Sequence, residues 1–259
     1  MSTPQPTRHP YLIVVGVTTV LIVLLAVVGT ACALLGVAGY VPVAVAFVPI
    51  AVGLAAWAAV GRRWAGLGFR VPRRSLAAFV VPVVLLVSVG AGIRGFVPSG
   101  PAAWLGYVGL ALLVGAVEET IFRGVLLRML LARGRGVAVL VSALSFAVAH
   151  SAAAINPAQS AAASLRQIGF AFLFGLLAGL VVLLTDSLWP TIVLHAAFDL
   201  LGFVGRQADQ LTSDVLVIVV AAMLVGILVV VVRRGGKRTP RHWAGIHTRI
   251  APGARLPQA

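Results

Sequence analysis

The stretch Gly115-Ala116-Val117-Glu118-Glu119-Thr120-Ile121-Phe122-Arg123 places two adjacent carboxylates inside a long apolar run. A carboxylate costs roughly 2.5–3.5 kcal/mol at a bilayer centre on insertion scales. Only six acidic residues occur in the 259-residue chain, and two of them stand here. Ionisable groups inside a membrane span mark functional sites by default.

The surrounding sequence makes the membrane reading firm. The chain is 61% hydrophobic and 10% charged, with a mean hydropathy of +1.08; soluble chains carry about 25% charged residues. The apolar runs are continuous and lack a period-2 alternation, which excludes a β-barrel. The fold expected is all-α: a polytopic helical bundle with about eight transmembrane helices. The spans are read at 11–36, 41–60, 76–93, 102–130, 137–155, 167–185, 190–206 and 214–232. Each is near the ~20 residues a bilayer requires. The first run is too long for a cleavable signal peptide, and more spans follow it.

Charge orients the bundle. With eight spans, one side carries Arg8, the arginines between 62 and 74, those from 128 to 135, and the basic residues from 233 onward. The other side carries Arg94, Arg166 and Arg206. Sixteen basic residues against three put the N- and C-termini in the cytoplasm by the positive-inside rule. The net charge of +14 follows from this distribution and from anionic lipid as partner, so nucleic acid is not implied. Trp57, Trp64, Trp104 and Trp189 lie near span ends, as interfacial anchors do. The single cysteine, Cys32, excludes an internal disulfide and reads as a packing or lipid-facing residue.

The organisation expected is a cytoplasmic N-terminus (1–10), accessory helices (11–101) with a basic loop at 61–75, and a core at 102–203. A last helix (204–232) and a basic, disordered cytoplasmic tail (233–259) follow. Gly175-Leu-Leu-Ala-Gly179 is a small-xxx-small element that reads as close helix packing.

Three patterns carry chemistry. In Glu118-Glu119-x-x-x-Arg123, Glu119 and Arg123 are i,i+4 neighbours in the favourable acid-first order. Glu118 lies about 100° around the helix from Glu119, so the two are not expected to point at one spot. Arg123 then neutralises Glu119, and Glu118 faces the bundle interior. Phe146 and His150 share a face at i,i+4, as do His195 and Asp199, where the acid can orient the imidazole. Each pattern alone also fits a structural ion pair, a packing histidine or an interhelical hydrogen bond.

Together they allow two hydrolytic chemistries. In one, Glu118, His150 and His195 bind a divalent, zinc-like metal that activates water. In the other, with no cofactor, Glu118 takes a proton from water while the histidines polarise the substrate carbonyl. Depth is the difficulty. Glu118 and His150 lie about 13 to 15 residues from the cytoplasmic end, or ~20 Å. His195 lies about 5 residues past Pro190, or ~8 Å. Tilt, or a loop at Asp186–Pro190 dipping into the protein, must close that gap. Other hydrolase signatures (His-Glu-x-x-His, Gly-x-Ser-x-Gly, Gly-x-Gly-Asp, a Gly-rich phosphate loop) are missing.

The trio Glu-Glu-x-x-x-Arg, Phe-x-x-x-His and His-x-x-x-Asp, in this order over 102–203, resembles the CPBP family of intramembrane proteases. That family includes CAAX prenyl endopeptidases, abortive-infection or bacteriocin-immunity proteins, and lysostaphin resistance protein A-like proteins. Trp64-Ala-Gly-Leu-Gly-Phe-Arg70 looks like the segment that often precedes the family domain. The resemblance implies Glu118 as the water-activating glutamate, with His150 and His195 assisting. Glu119 and Arg123 would be the supporting pair. Asp199 stands where many members have asparagine, so it must be protonated, orient His195 or touch a metal, because an ionised aspartate donates no hydrogen bond.

The function expected is an endopeptidase in the cytoplasmic (inner) cell membrane, with a cavity opening toward the cytoplasm. It would cleave a lipidated, leader-type or transmembrane substrate near the membrane. The alternatives are a non-catalytic immunity or binding protein on the same scaffold, and a proton-coupled transporter.

Overall fold

A computed structural model describes residues 9–37, 39–72, 84–89, 91, 93, 95–97, 99–155, 159–205 and 210–235. The predicted span 76–93 is helical at 84–89, 91 and 93 and otherwise lies outside the described residues. So do residues 73–75 of the basic loop and the tail after 235.

The described chain is all-α. Its main helices are α1 (Pro10–Leu34), α2 (Val41–Val60), α3 (Pro101–Glu119), α4 (Arg135–Ala149), α5 (Ala161–Thr185), α6 (Trp189–Val204) and α7 (Gln210–Gly235). Among the described residues, five helices are long and apolar enough to cross a membrane: Pro10–Leu34, Val41–Val60, Arg135–Ala152, Ala161–Thr185 and Gln210–Arg234. A proline stands in the first turn of α1, α2, α3 and α6. Its missing N–H costs nothing there, and its fixed φ suits a helix start. The helix expected at 167–185 begins earlier, at 161, because Ser160 accepts a hydrogen bond from the Ala163 N–H at 3.2 Å.

Two antiparallel pairs form the centre. α3 packs on α6, and α4 packs on α5, with α1, α2 and α7 around them. Burial follows this order: 56% of the α5 span is buried inside the protein against 17% of α1 and of α2. The outer helices present Val20, Val23, Val27, Val52, Met223 and Ile227 outward. That is the surface a lipid-facing helix requires, because acyl chains solvate it as well as a protein core would.

Glycines set the close approaches. A Cβ on Gly115 would lie 3.2 Å from the Ile192 carbonyl oxygen and 3.4 Å from His195 Cβ. A Cβ on Gly175 would lie 2.8 Å from Ala143 Cα. The small-xxx-small element therefore packs α5 on α4, as its sequence suggested. Gly175→Leu is expected to force those helices apart and lower stability by about 1–3 kcal/mol, measured by thermal unfolding in detergent.

The predicted continuous helix 102–130 is a composite. α3 ends at Glu119 and passes into a π-helical segment, Thr120–Leu127, then an α-turn, Arg128–Leu130, and a 3₁₀ turn, Leu131–Arg133. The wider turn frees backbone groups, and Ser142 of α4 donates its hydroxyl to the Phe122 carbonyl at 2.8 Å. π-segments inside helices recur at functional sites.

Candidate active site

The π-segment begins directly after the two glutamates and carries Arg123. The Arg123 guanidinium donates to Glu119 Oε1 at 2.7 Å, and both side chains are fully buried. The guanidinium also lies 4.3 Å from the centre of the Phe146 ring. That adds a cation–π contact to a charge that is fully buried.

His195 of α6 joins both carboxylates. Its Nδ1 lies 3.0 Å from Glu119 Oε1, and its Nε2 lies 3.7 Å from Glu118 Oε2. The sequence reading had the two glutamates facing different spots. They do leave the helix in different directions, but a single imidazole between them reaches one with each nitrogen. Gly115 permits this, since it lets α6 approach α3 within van der Waals contact of its backbone.

Asp199 Oδ2 lies 3.6 Å from His195 Nε2. The i,i+4 spacing is confirmed as a neighbour relation, but the group that holds the ring at hydrogen-bond distance is Glu119. A neutral ring donating from Nδ1 to Glu119 leaves Nε2 as an acceptor, which Glu118 or Asp199 matches only when it carries a proton. A protonated ring donates from both edges.

His150 ends α4 and opens the 3₁₀ turn His150–Ile155. Its Nδ1–H donates to the Phe146 carbonyl at 2.9 Å, which leaves Nε2 as its acceptor. Phe146 connects the two histidines: its ring centre is 4.5 Å from that of His150 and 5.6 Å from that of His195. Phe174 closes another side of His195, edge-on at 5.0 Å. Among the described residues, no hydrogen bond or ion pair joins His150 to Glu118. The fold thus brings Glu118, Glu119, Arg123, His195 and Asp199 into one contact group, with His150 reached through Phe146.

Exposure rises across the group. The side chains of Glu119 and Arg123 are 0% exposed, that of Glu118 is 10% exposed, and that of Asp199 is 22% exposed. Glu118 Oε2 and Asp199 Oδ2 are buried oxygen atoms with no hydrogen-bond partner. Orphaned acceptors of this kind call for a proton or a donor from outside the protein.

A metal held by Glu118, His150 and His195 does not fit this arrangement. Among the described residues, no three His, Cys, Asp or Glu side chains are grouped to hold an ion.

His195 stands level with Glu118 and Glu119, and the turn before α6 is packed into the protein. Residues 185–188 are buried, with Ser187 and Leu188 at 0% exposure, while Trp189, the first residue of α6, is half-exposed. Sequence reasoning missed the bond between Glu119 and His195, the supporting Ser142, and the Asp186 cluster described below. A serine and an aspartate within apolar surroundings were the available signals.

Residues 100–201 match the family model of the type II CAAX prenyl endopeptidase Rce1-like proteins. This is the CPBP/CAAX protease family. The matched residues contain all three motifs and every side chain of the contact group. No curated protein and no solved structure matches the chain. At the level of the family, the Rce1-like domain supports an intramembrane protease, a multi-pass membrane protein that meets lipid and a peptide substrate.

Proposed function

We propose that the chain is an intramembrane endopeptidase in which Glu118 activates water. The observation that carries this reading is the convergence of Glu118 and Glu119 on the two nitrogens of His195. Glu119 is already matched by Arg123, so it positions His195 and leaves Glu118 as the base. Glu118 takes a proton from water, and the hydroxide oxygen adds to the carbonyl carbon of the substrate. The tetrahedral intermediate then collapses, the C–N bond breaks, and Glu118 returns the proton to the leaving amine. His195, with Nδ1–H given to Glu119, turns Nε2 toward the reacting groups; when protonated it donates to the developing oxyanion. His150, oriented by the Phe146 carbonyl, assists from the neighbouring wall. Asp199 faces Nε2 of His195 and balances a proton on that ring.

The substrate class is a peptide bond near the membrane in a lipidated, leader-type or transmembrane protein. The basic-residue asymmetry supports a cytoplasmic (inner) membrane location with both termini inside. The testing experiment is purification in detergent and assay with a quenched peptide library, with and without chelator. Wild type is compared with Glu118→Ala and His150→Ala. Cleavage lost in both variants and indifferent to chelator supports the glutamate mechanism. Cleavage that persists in Glu118→Ala removes the assignment, and a wild type that cleaves nothing favours a binding role.

A further inference from the structure

A second buried ionic cluster lies outside the proposed catalytic group. Asp186, in the turn between α5 and α6, accepts from Arg70 Nη1 at 2.9 Å through Oδ2 and from Arg128 Nη1 at 3.2 Å through Oδ1. Asp186 has φ +54°, a left-handed conformation that Asn and Asp tolerate better than most residues. The segment Trp64–Arg70 is strapped across this turn. Leu188 N–H donates to the Gly68 carbonyl at 2.8 Å, and Ser187 Oγ donates to the Arg70 carbonyl at 2.6 Å. Phe69 packs edge-on to Trp189 with ring centres 5.5 Å apart. Gly68 is required twice over: its φ is +104°, and the Arg128 guanidinium occupies the space of a Cβ.

The cluster is in register with the site. Arg128 stands nine residues after Glu119, and Asp186 stands nine residues before His195. The two segments run antiparallel, with Gly115 against Ile192 and His195, Gly124 against Leu188, and Arg128 against Asp186. The α3–π unit and the turn–α6 unit are therefore tied at two levels, Glu119–His195 and Arg128–Asp186. The separation is about 13 Å by helical rise. The turn that leads into α6 is buried, so contacts with protein groups hold the start of this helix.

We propose that Asp186 is a positioning residue: held by Arg70 and Arg128, it fixes the depth of α6 and so the placement of His195 against Glu118 and Glu119. This rests on the proposed roles of Glu118 and His195. The strap residue Arg70 gives the segment before the protease domain a direct task in the site.

The test separates the turn from the charge. Asp186→Gly keeps the left-handed turn and removes the carboxylate; Asp186→Asn keeps the turn and one neutral acceptor. Full-length variants in detergent are compared with wild type for kcat, KM and Tm. The ¹⁵N and N–H resonances of His195 are followed in parallel, assigned by their loss in His195→Gln. The expected result is a shifted Nδ1 resonance in both variants. kcat falls about 10²-fold in Asp186→Gly, as misplacement by an ångström does, and less in Asp186→Asn, with KM nearly unchanged. Wild-type resonances and kcat in either folded variant overturn the proposal. So does a loss of Tm with no change at His195, which marks a purely structural cluster. If wild type cleaves no peptide, the catalytic reading fails and the His195 resonances alone decide the positioning role.

Discussion

Glu118→Gln is expected to give a folded, membrane-inserted protein whose kcat is lower by about 10²–10⁴-fold, the range a general base contributes. The substitution keeps the volume and one hydrogen-bonding oxygen and removes the carboxylate that accepts the proton. Fold and activity separate here because Glu118 is loosely held: among the described residues its ion pair is with His195 Nε2 at 3.7 Å. Gln can occupy the same place without leaving a buried charge unmatched. KM is expected to stay near wild type, since the lost interaction is made with water and the transition state. The measurement is steady-state cleavage of a selected peptide together with a thermal melt. A Gln variant with wild-type kcat would end the assignment of Glu118 as base.

Arg123→Ala is expected to do the opposite and damage the fold itself. It strands Glu119, which is fully buried and bonded to both Arg123 and His195. Removing one partner of a buried pair costs about 3–5 kcal/mol. It also strips the cation from the face of Phe146, 4.3 Å away. Tm in detergent should fall sharply, with cleavage lost as a consequence. The double variant Glu119→Ala/Arg123→Ala should lose less than the sum of the singles, because it leaves no uncompensated carboxylate. Additive losses, or an Arg123→Ala melt at the wild-type temperature, would show that the pair is not coupled.

The contrast between these substitutions was partly legible in the sequence. The i,i+4 spacing of Glu119 and Arg123 assigns them to each other, and one acid without a helical partner is left over. The spacing of His195 and Asp199 was equally legible, and it gave one of the acids beside the ring but not the nearer one. Both groups lie on one face of α6, but Glu119 comes closer to the ring from another helix, 76 positions away in the chain. The π-segment Thr120–Leu127 left no trace in the apolar pattern. It accepts a hydroxyl from α4 at the Phe122 carbonyl, and apolar periodicity carries no information about such a partner. The same holds for Arg70 and Arg128, which read as positive-inside charges. Both nevertheless pair with Asp186, in the turn before α6.

From composition and periodicity alone came the all-α membrane bundle, the helix boundaries to within a few residues at most ends, and the residue types with hydrolytic chemistry. These are local properties: they depend on what each segment must bury in lipid and on which side chains share a helical face. Tertiary structure alone decided that two carboxylates meet opposite edges of one imidazole, and that the turn before α6 is buried. Those outcomes depend on how closely glycines let neighbouring helices approach and on a turn clamped by distant arginines. Contacts of that kind exist only once separate segments have packed.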